Sequence, residues 1–381
     1  MKTETQIKKL IKHYKNYLNK HAEIGWEEIQ TTAYIKKQLH CDSIIEGIGD
    51  NRVGHITSVG NGSKKIFLRA DIDALPTDST PKHLCGHSTH TASLMGAYWW
   101  LKNNEKLLID QDKEVVFVFQ PAEETFPSGA KTLLEHYPLI FALCSYGFGV
   151  HVDPTIPLHT IRLLPHEACG AGDYLEIEVQ GKQYHVKNTH KAIDAIEGAA
   201  LVIQAVRAFQ KEFPTFSETV VFNLNTIEGG TAPNITAEYV KMTGDIRWIH
   251  TKDQKKIKAF FNKLPQVIKQ QFKGTIKVNY YDGYPPVLNN PTLTQSIHSF
   301  LHENSPKIKI VNKSTPTLGI EDFSFYTHHV PCLYADIGMG GEYDLHEEGF
   351  TVNDNATFEV YEYWKMVLTW WISIPTSSLG L

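Results

Sequence analysis

The chain has 381 residues, more than one hydrophobic core usually serves, so two domains are expected. Hydrophobic residues at 42% and charged residues at 21% describe an ordinary globular protein, and a formal net charge of -5 argues against a nucleic-acid binder, which presents a basic face. No apolar window of about 18 residues offers a membrane span, "MKTETQIKKLIKHYKNYL" lacks a secretory apolar core, and Cys41, Cys85, Cys144, Cys169 and Cys332 are too scattered for a disulfide framework; a cytoplasmic protein with reduced thiols is expected.

In chain order, "KKLIKHYK" (8–15) reads as an amphipathic helix. The continuously apolar runs "KKIFLRA" (64–70), "EVVFVFQ" (114–120) and "LCSYGFGV" (143–150) alternate with the helical stretches 90–104 and 129–137. Apolar runs separated by helices predict a mostly parallel sheet covered on both faces. From about residue 172 the style changes. "YLEIEVQG" (174–181) alternates strictly, like a strand with one wet face; a helix (192–213), two strands on either side of "TAPNITA", a helix (252–272) that Pro265 should kink or split, and a strand "TIKVNYY" follow. That β-α-β-β-α-β order predicts a ferredoxin-like unit with both helices on one face of an antiparallel sheet. After about 284 the first style resumes, with helices at 293–304 and 358–374 around the apolar run "PCLYADIG". The fold class is therefore α/β: a discontinuous catalytic domain (1–171 and 284–381) carrying an inserted ferredoxin-like domain (172–283).

In a parallel sheet, ligands gather beyond the carboxyl ends of the strands. Asp71 and Asp73 follow the first apolar run, Glu123 and Glu124 the second, His151 the third, and His346 comes through a glycine-rich loop after "CLYADIG". Cys85 and His87, in "HLCGHSTH", stand in a loop ahead of a helix. Singly, each has an ordinary explanation: a buried thiol, a solvated helix start, a helix-capping aspartate, a satisfied core histidine. Together they suit a divalent transition ion, zinc, manganese or cobalt. Cys85, His87, Glu124, His151 and His346 exceed what one tetrahedral ion uses, so two ions sharing the thiolate fit better. Of the neighbouring carboxylates Glu123 and Glu124, one would bind metal and the other act as general base.

The chain resembles the M20 metallopeptidase family in its amidohydrolase branch, over nearly its whole length. "AEIGWEEIQTTAYIKKQL", "RADIDALP", "HLCGHSTHTA", "FQPAEE", "GVHVDP", "IEGGTAPNITAE", "GDIRW", "GIEDFSFY" and "DLHEEGF" carry the resemblance, in the family's order. It implies Cys85, His87, Glu124, His151 and His346 as ligands of two metal ions, Glu123 as general base, and Asp71 and Asp73 as supporting residues. It also implies that the inserted domain is a lid and homodimer domain, that His185 in "GKQYH" holds the reacting carbonyl from the other subunit, and that Asn234 and Arg247 contact substrate, the arginine gripping a carboxylate.

Three departures stand out. Ser88 replaces the aspartate that follows the "CGH" histidine and would orient a ligand; the loop Thr77–Lys82 is short; and the glycine-rich turn before His185 has become "GKQYH". The expected function is hydrolysis of the amide bond of an N-acyl amino acid or related small amide. The alternatives are a dipeptidase or carboxypeptidase on the same scaffold, or a catalytically weak, metal-holding protein that binds such a ligand.

Overall fold

Every residue of the Lys113–Gln120 strand is buried in the computed structural model of the protein, as an apolar run without alternation requires of a strand covered on both faces. The same holds for Cys332–Gly338. The structure describes residues 1–214, 216–312 and 314–375. It divides into two compact units: Met1–Ala168 with Val287–Ser314 and Asp322–Leu381, and Cys169–Pro286 with Thr315–Glu321.

The first unit carries a nine-stranded sheet in the order His55–Gly60, Lys113–Gln120, Lys64–Asp71, Cys144–Asp153, Cys332–Gly338, Val287–Asn289 and His166–Cys169, with Thr160–Arg162 and Lys309–Val311 off this path. Its four central strands run parallel and so deliver their carboxyl ends to one rim. The edge strand His55–Gly60 is antiparallel. The helix His87–Asn103 is buried on nearly every side, because it is enclosed by the sheet and by the helices Glu4–Lys20 and Asp354–Ser373. One core runs from Ile7 and Ile11 through Phe117 and Phe148 to Trp364 and Trp371.

The second unit is a four-stranded antiparallel sheet in the order Thr275–Tyr284, Ala171–Gln180, Tyr239–Trp248, Val220–Gly229. Leu175, Ile177 and Val179 alternate inward along Ala171–Gln180 and pack with Val202, Phe209 and Phe261 from the helices Ala195–Gln210 and Thr251–Ile268. This is the ferredoxin-like order of strands.

Local differences have local causes. The helix expected over 192–213 starts only at Ala195, where the Asp194 side chain accepts the Ile196 amide and caps it. Pro265 does not split its helix, which runs on to Ile268; the proline sits in the last turn, where it removes a single backbone bond, and the buried Leu264 and Ile268 anchor that turn. Among the described residues, no helix is long and apolar enough to cross a membrane.

Candidate metal centre

Asp71 is the last residue of its strand and is level with Gln120 in the register, so both ends open on the same rim. His151 lies inside the Cys144–Asp153 strand rather than after it, opposite Asp336. Gly86, at a positive φ of 88°, turns the chain between Cys85 and the helix that begins at His87; a Cβ there would come within 2.4 Å of Val152. His346, also at positive φ, is tied to the same loop by its amide, which donates to the Leu84 carbonyl at 2.8 Å.

The donors converge. Cys85 Sγ lies 3.4 Å from His151 Nε2 and 3.2 Å from His346 Nε2. Glu124 Oε1 lies 3.3 Å from His346 Nε2 and 3.9 Å from His87 Nε2. Two triads result, Cys85–His87–His151 and Cys85–Glu124–His346, each with its ligand atoms within 4.8 Å of one another, and the thiol belongs to both. Glu123 belongs to neither of these triads, but its Oε2 lies 4.0 Å from His87 Nε2, and with His87 and Glu124 it forms a further group of donors within 4.8 Å of one another.

Neighbouring groups fix which imidazole nitrogen faces inward. His87 Nδ1 faces the Asp73 carbonyl at 3.0 Å and carboxylate at 3.2 Å, and His151 Nδ1 faces the Val152 carbonyl at 2.7 Å. Each Nδ1 is therefore a donor, which leaves each Nε2 as the nitrogen that would face an ion. Asp73 also accepts the Glu124 amide at 2.9 Å, which ties the glutamate pair to the histidine. His87 Nε2 and Glu124 Oε1 are buried without a hydrogen-bond partner in the protein. A cation in each triad would satisfy the one and the other, so the residues fit the two-ion set expected from the donor types.

His90, three residues after His87, was not expected at the centre, and it is no ligand. The Val152 amide donates to its Nε2 at 3.1 Å, so its Nδ1 carries the proton and donates to Asp71 at 2.7 Å. Both nitrogens are committed, which removes the cluster of Asp71, His87 and His90 as an ion site. Burial holds His90 down at about 4, hence neutral. Asp71 meanwhile accepts from Arg69 at 2.9 Å, and Arg69 reaches Asp322 at 2.6 Å and Gln120 at 2.9 Å. The only sequence trace of this network is a buried charge inside an apolar strand.

Burial pushes the Cys85 thiol well above its usual range, and the Glu124, Glu123 and Asp71 carboxylates push the same way. A thiolate there requires compensating positive charge, which a divalent cation supplies. Ser88 is buried and lines a separate cavity of about 190 Å³ with His83, Phe350 and Val352. The short 77–82 loop is closed by paired backbone bonds of 3.0 Å between Leu75 and Lys82.

In the second unit, His185 and Asn234 are neighbours: the Val186 amide donates to the Asn234 carbonyl at 2.9 Å, and His185 bridges Ile235. Both side chains are exposed. Arg247 is not with them. It stands near the far end of the Tyr239–Trp248 strand, about 26 Å from Tyr239 at the ordinary rise per residue, with its guanidinium held by both oxygens of Asp245.

A model of peptidase family M20/M25/M40 matches residues 67–368. The N-acetyl-L-cysteine deacetylase of Bacillus subtilis is 29% identical over 93% of this chain and 87% of its own length. The thermostable carboxypeptidase 2 of Saccharolobus solfataricus is 28% identical over 92% of each chain. Among solved structures, a putative aminohydrolase from methicillin-resistant Staphylococcus aureus superposes with a TM-score of 0.84 at 24% identity, covering 95% of this chain and 96% of the other. A Bacillus subtilis dinuclear metal-binding peptidase of the M20 family does so with 0.80 at 23% identity, covering 96% and 99%.

Proposed function

The chain belongs to peptidase family M20/M25/M40, hydrolases of the amidohydrolase and peptidase type, and from that premise we propose that it cleaves the amide bond of an N-acyl amino acid or related small amide. The observation that carries this reading is the pair of triads sharing Cys85 with Glu123 left outside them. Cys85, His87 and His151, and Cys85, Glu124 and His346, would hold two divalent cations, zinc, manganese or cobalt, which when bound would supply positive charge to acidify a water and polarise the acyl carbonyl. Asp71 and Asp73 orient His90 and His87 behind them.

Glu123 is the general base. Its carboxylate takes a proton from water as the water oxygen bonds to the acyl carbon, and it returns that proton to the amide nitrogen as the C–N bond breaks. His185 and Asn234 steady the acyl carbonyl, and Arg247 meets the substrate carboxylate in exchange for Asp245. Since His185 and Arg247 stand at opposite ends of their own unit, a small substrate that meets both draws them from two chains. That supports a homodimer formed through the inserted unit, whose edge strand Val220–Gly229 leaves Ile227 exposed. The boundaries 172–283 for this lid domain belong to the same proposal. The free thiols of Cys85 and the other cysteines suit a reducing cytoplasm.

The test is amine release from a panel of N-acyl amino acids and dipeptides, with manganese, cobalt or zinc added and Glu123→Gln as the blank. Turnover of acyl amino acids above the blank supports the reading. Preference for unblocked peptides would favour a carboxypeptidase, the activity named for the Saccharolobus solfataricus relative. No turnover in folded, metal-loaded protein would leave a binding protein.

A further inference from the structure

Glu28 is fully buried, although it stands at the N-cap position of the Ile29–Leu39 helix, where a carboxylate ordinarily turns back on its own helix. Here that task falls to Glu23, whose two oxygens accept the Gln30 amide at 3.0 Å and the Thr31 amide at 2.8 Å. Glu28 is thereby released to point elsewhere. Its Oε1 accepts the Ala122 amide at 2.7 Å, across 94 positions of sequence.

Ala122 has a positive φ of 55°, a conformation that costs a residue with a Cβ about 1 kcal/mol or more and persists only where neighbours enforce it. The enforcing contacts are visible. Its amide is held by Glu28 and its carbonyl accepts the Gly129 amide at 2.9 Å. A Cβ on Gly25 would meet Thr125 Oγ1 at 2.4 Å and Ala122 Cα at 3.1 Å, so only glycine allows segment 23–28 to lie this close. Trp26 Nε1 donates to the Pro127 carbonyl at 2.9 Å, and the Ala74 amide donates to the Glu23 carbonyl at 2.8 Å. One short segment thus braces both the loop bearing Glu123 and Glu124 and the strand end bearing Asp71 and Asp73.

We propose that Glu28 is a positioning residue for the reaction: its side chain fixes the Ala122 peptide, and with it the direction in which Glu123 and Glu124 leave the sheet. It touches no reacting atom. The inference rests on the proposed role of Glu123. A base displaced by an ångström loses turnover before it loses substrate binding, and an amide in place of the carboxyl retains an oxygen for the Ala122 amide.

The experiment compares wild type with Glu28→Asp, which withdraws the acceptor by one methylene, and Glu28→Gln, which keeps it. Glu28→Asp is expected to lower kcat by about 10- to 100-fold with KM and metal content unchanged, and Glu28→Gln to restore kcat to within about threefold of wild type. Wild-type kcat in Glu28→Asp, equal losses in both variants, or a loss matched by lost metal or raised KM overturns the proposal. The Ala122 amide proton, read by selective ¹⁵N-alanine labelling, gives a result independent of turnover. A downfield signal that Glu28→Asp moves upfield and Glu28→Gln does not supports the contact; no difference overturns it. If wild type is inactive on every substrate, the functional reading fails while this signal still decides whether Glu28 holds the loop.

Discussion

Arg69 and Asp71, two residues apart on one strand, pair at 2.9 Å with neither side chain exposed. Alternation puts both on the same face of the sheet, and the guanidinium also pairs with Asp322 at 2.6 Å, so one positive charge is shared by two buried carboxylates. Removing one member of such a network leaves charge buried without its partner. Asp71→Asn is expected to destabilise the protein by about 3 kcal/mol and to weaken metal binding by about tenfold or more, because His90, which also receives the Val152 amide next to His151, loses its orienting carboxylate. Thermal melts and chelator competition measure the two effects; an unchanged affinity would show that Asp71 serves folding alone.

Glu123→Gln should abolish turnover and leave metal content as in wild type. The carboxylate belongs to neither triad that shares Cys85, and in its proposed role its charge serves proton transfer. Metal analysis beside the amine-release assay checks this, and loss of an ion in the variant would reassign Glu123 as a ligand.

Because Cys85 belongs to both triads, Cys85→Ala and His346→Ala should differ in kind. The first is expected to lower occupancy of both ions and the second of one. Metal-to-protein ratios after dialysis against graded chelator separate the cases. Equal losses in both variants would mean that the thiol serves a single ion.

Glu28 links stability to pH. Burial pushes its carboxyl up to about 8, with Asp73 and Glu23 adding repulsion, against an ordinary value of 4.5. The folded chain thus keeps a proton that the unfolded chain gives up, so the stabilisation is complete below about pH 4.5 and drains away as pH rises towards about 8. Glu28→Gln does not titrate. Its stability relative to wild type should therefore climb across that window, by roughly 3–5 kcal/mol, and then level off. Denaturation midpoints from pH 5 to 9 give the difference directly; a constant offset would contradict it.

Much of the architecture is legible from local pattern. Unbroken apolar runs such as Val115–Phe119 report burial on two faces, and the alternation Leu175, Ile177, Val179 reports one wet face, because strand periodicity is a property of neighbouring residues. Pro265 shows the limit of such signals: its effect depends on where the helix ends, and the packing of Leu264 and Ile268 decides that.

The candidate centre divides in the same way. Cys85, His87, Glu124, His151 and His346 carry chemistry rare enough, and stand close enough to strand ends, to be singled out by the sequence alone. It could not say that His90 would be used up by Asp71 and Val152, or that Glu28 would reach Ala122. Glutamates and histidines are common, and nothing local marks the ones that matter. Their roles come from contacts between residues 19 to 253 positions apart, as with His90 and Asp71 or Arg69 and Asp322. Hydrogen bonds at 2.6–3.1 Å between such groups exist only once the packed sheet has brought the strand ends to one rim and excluded water from behind them.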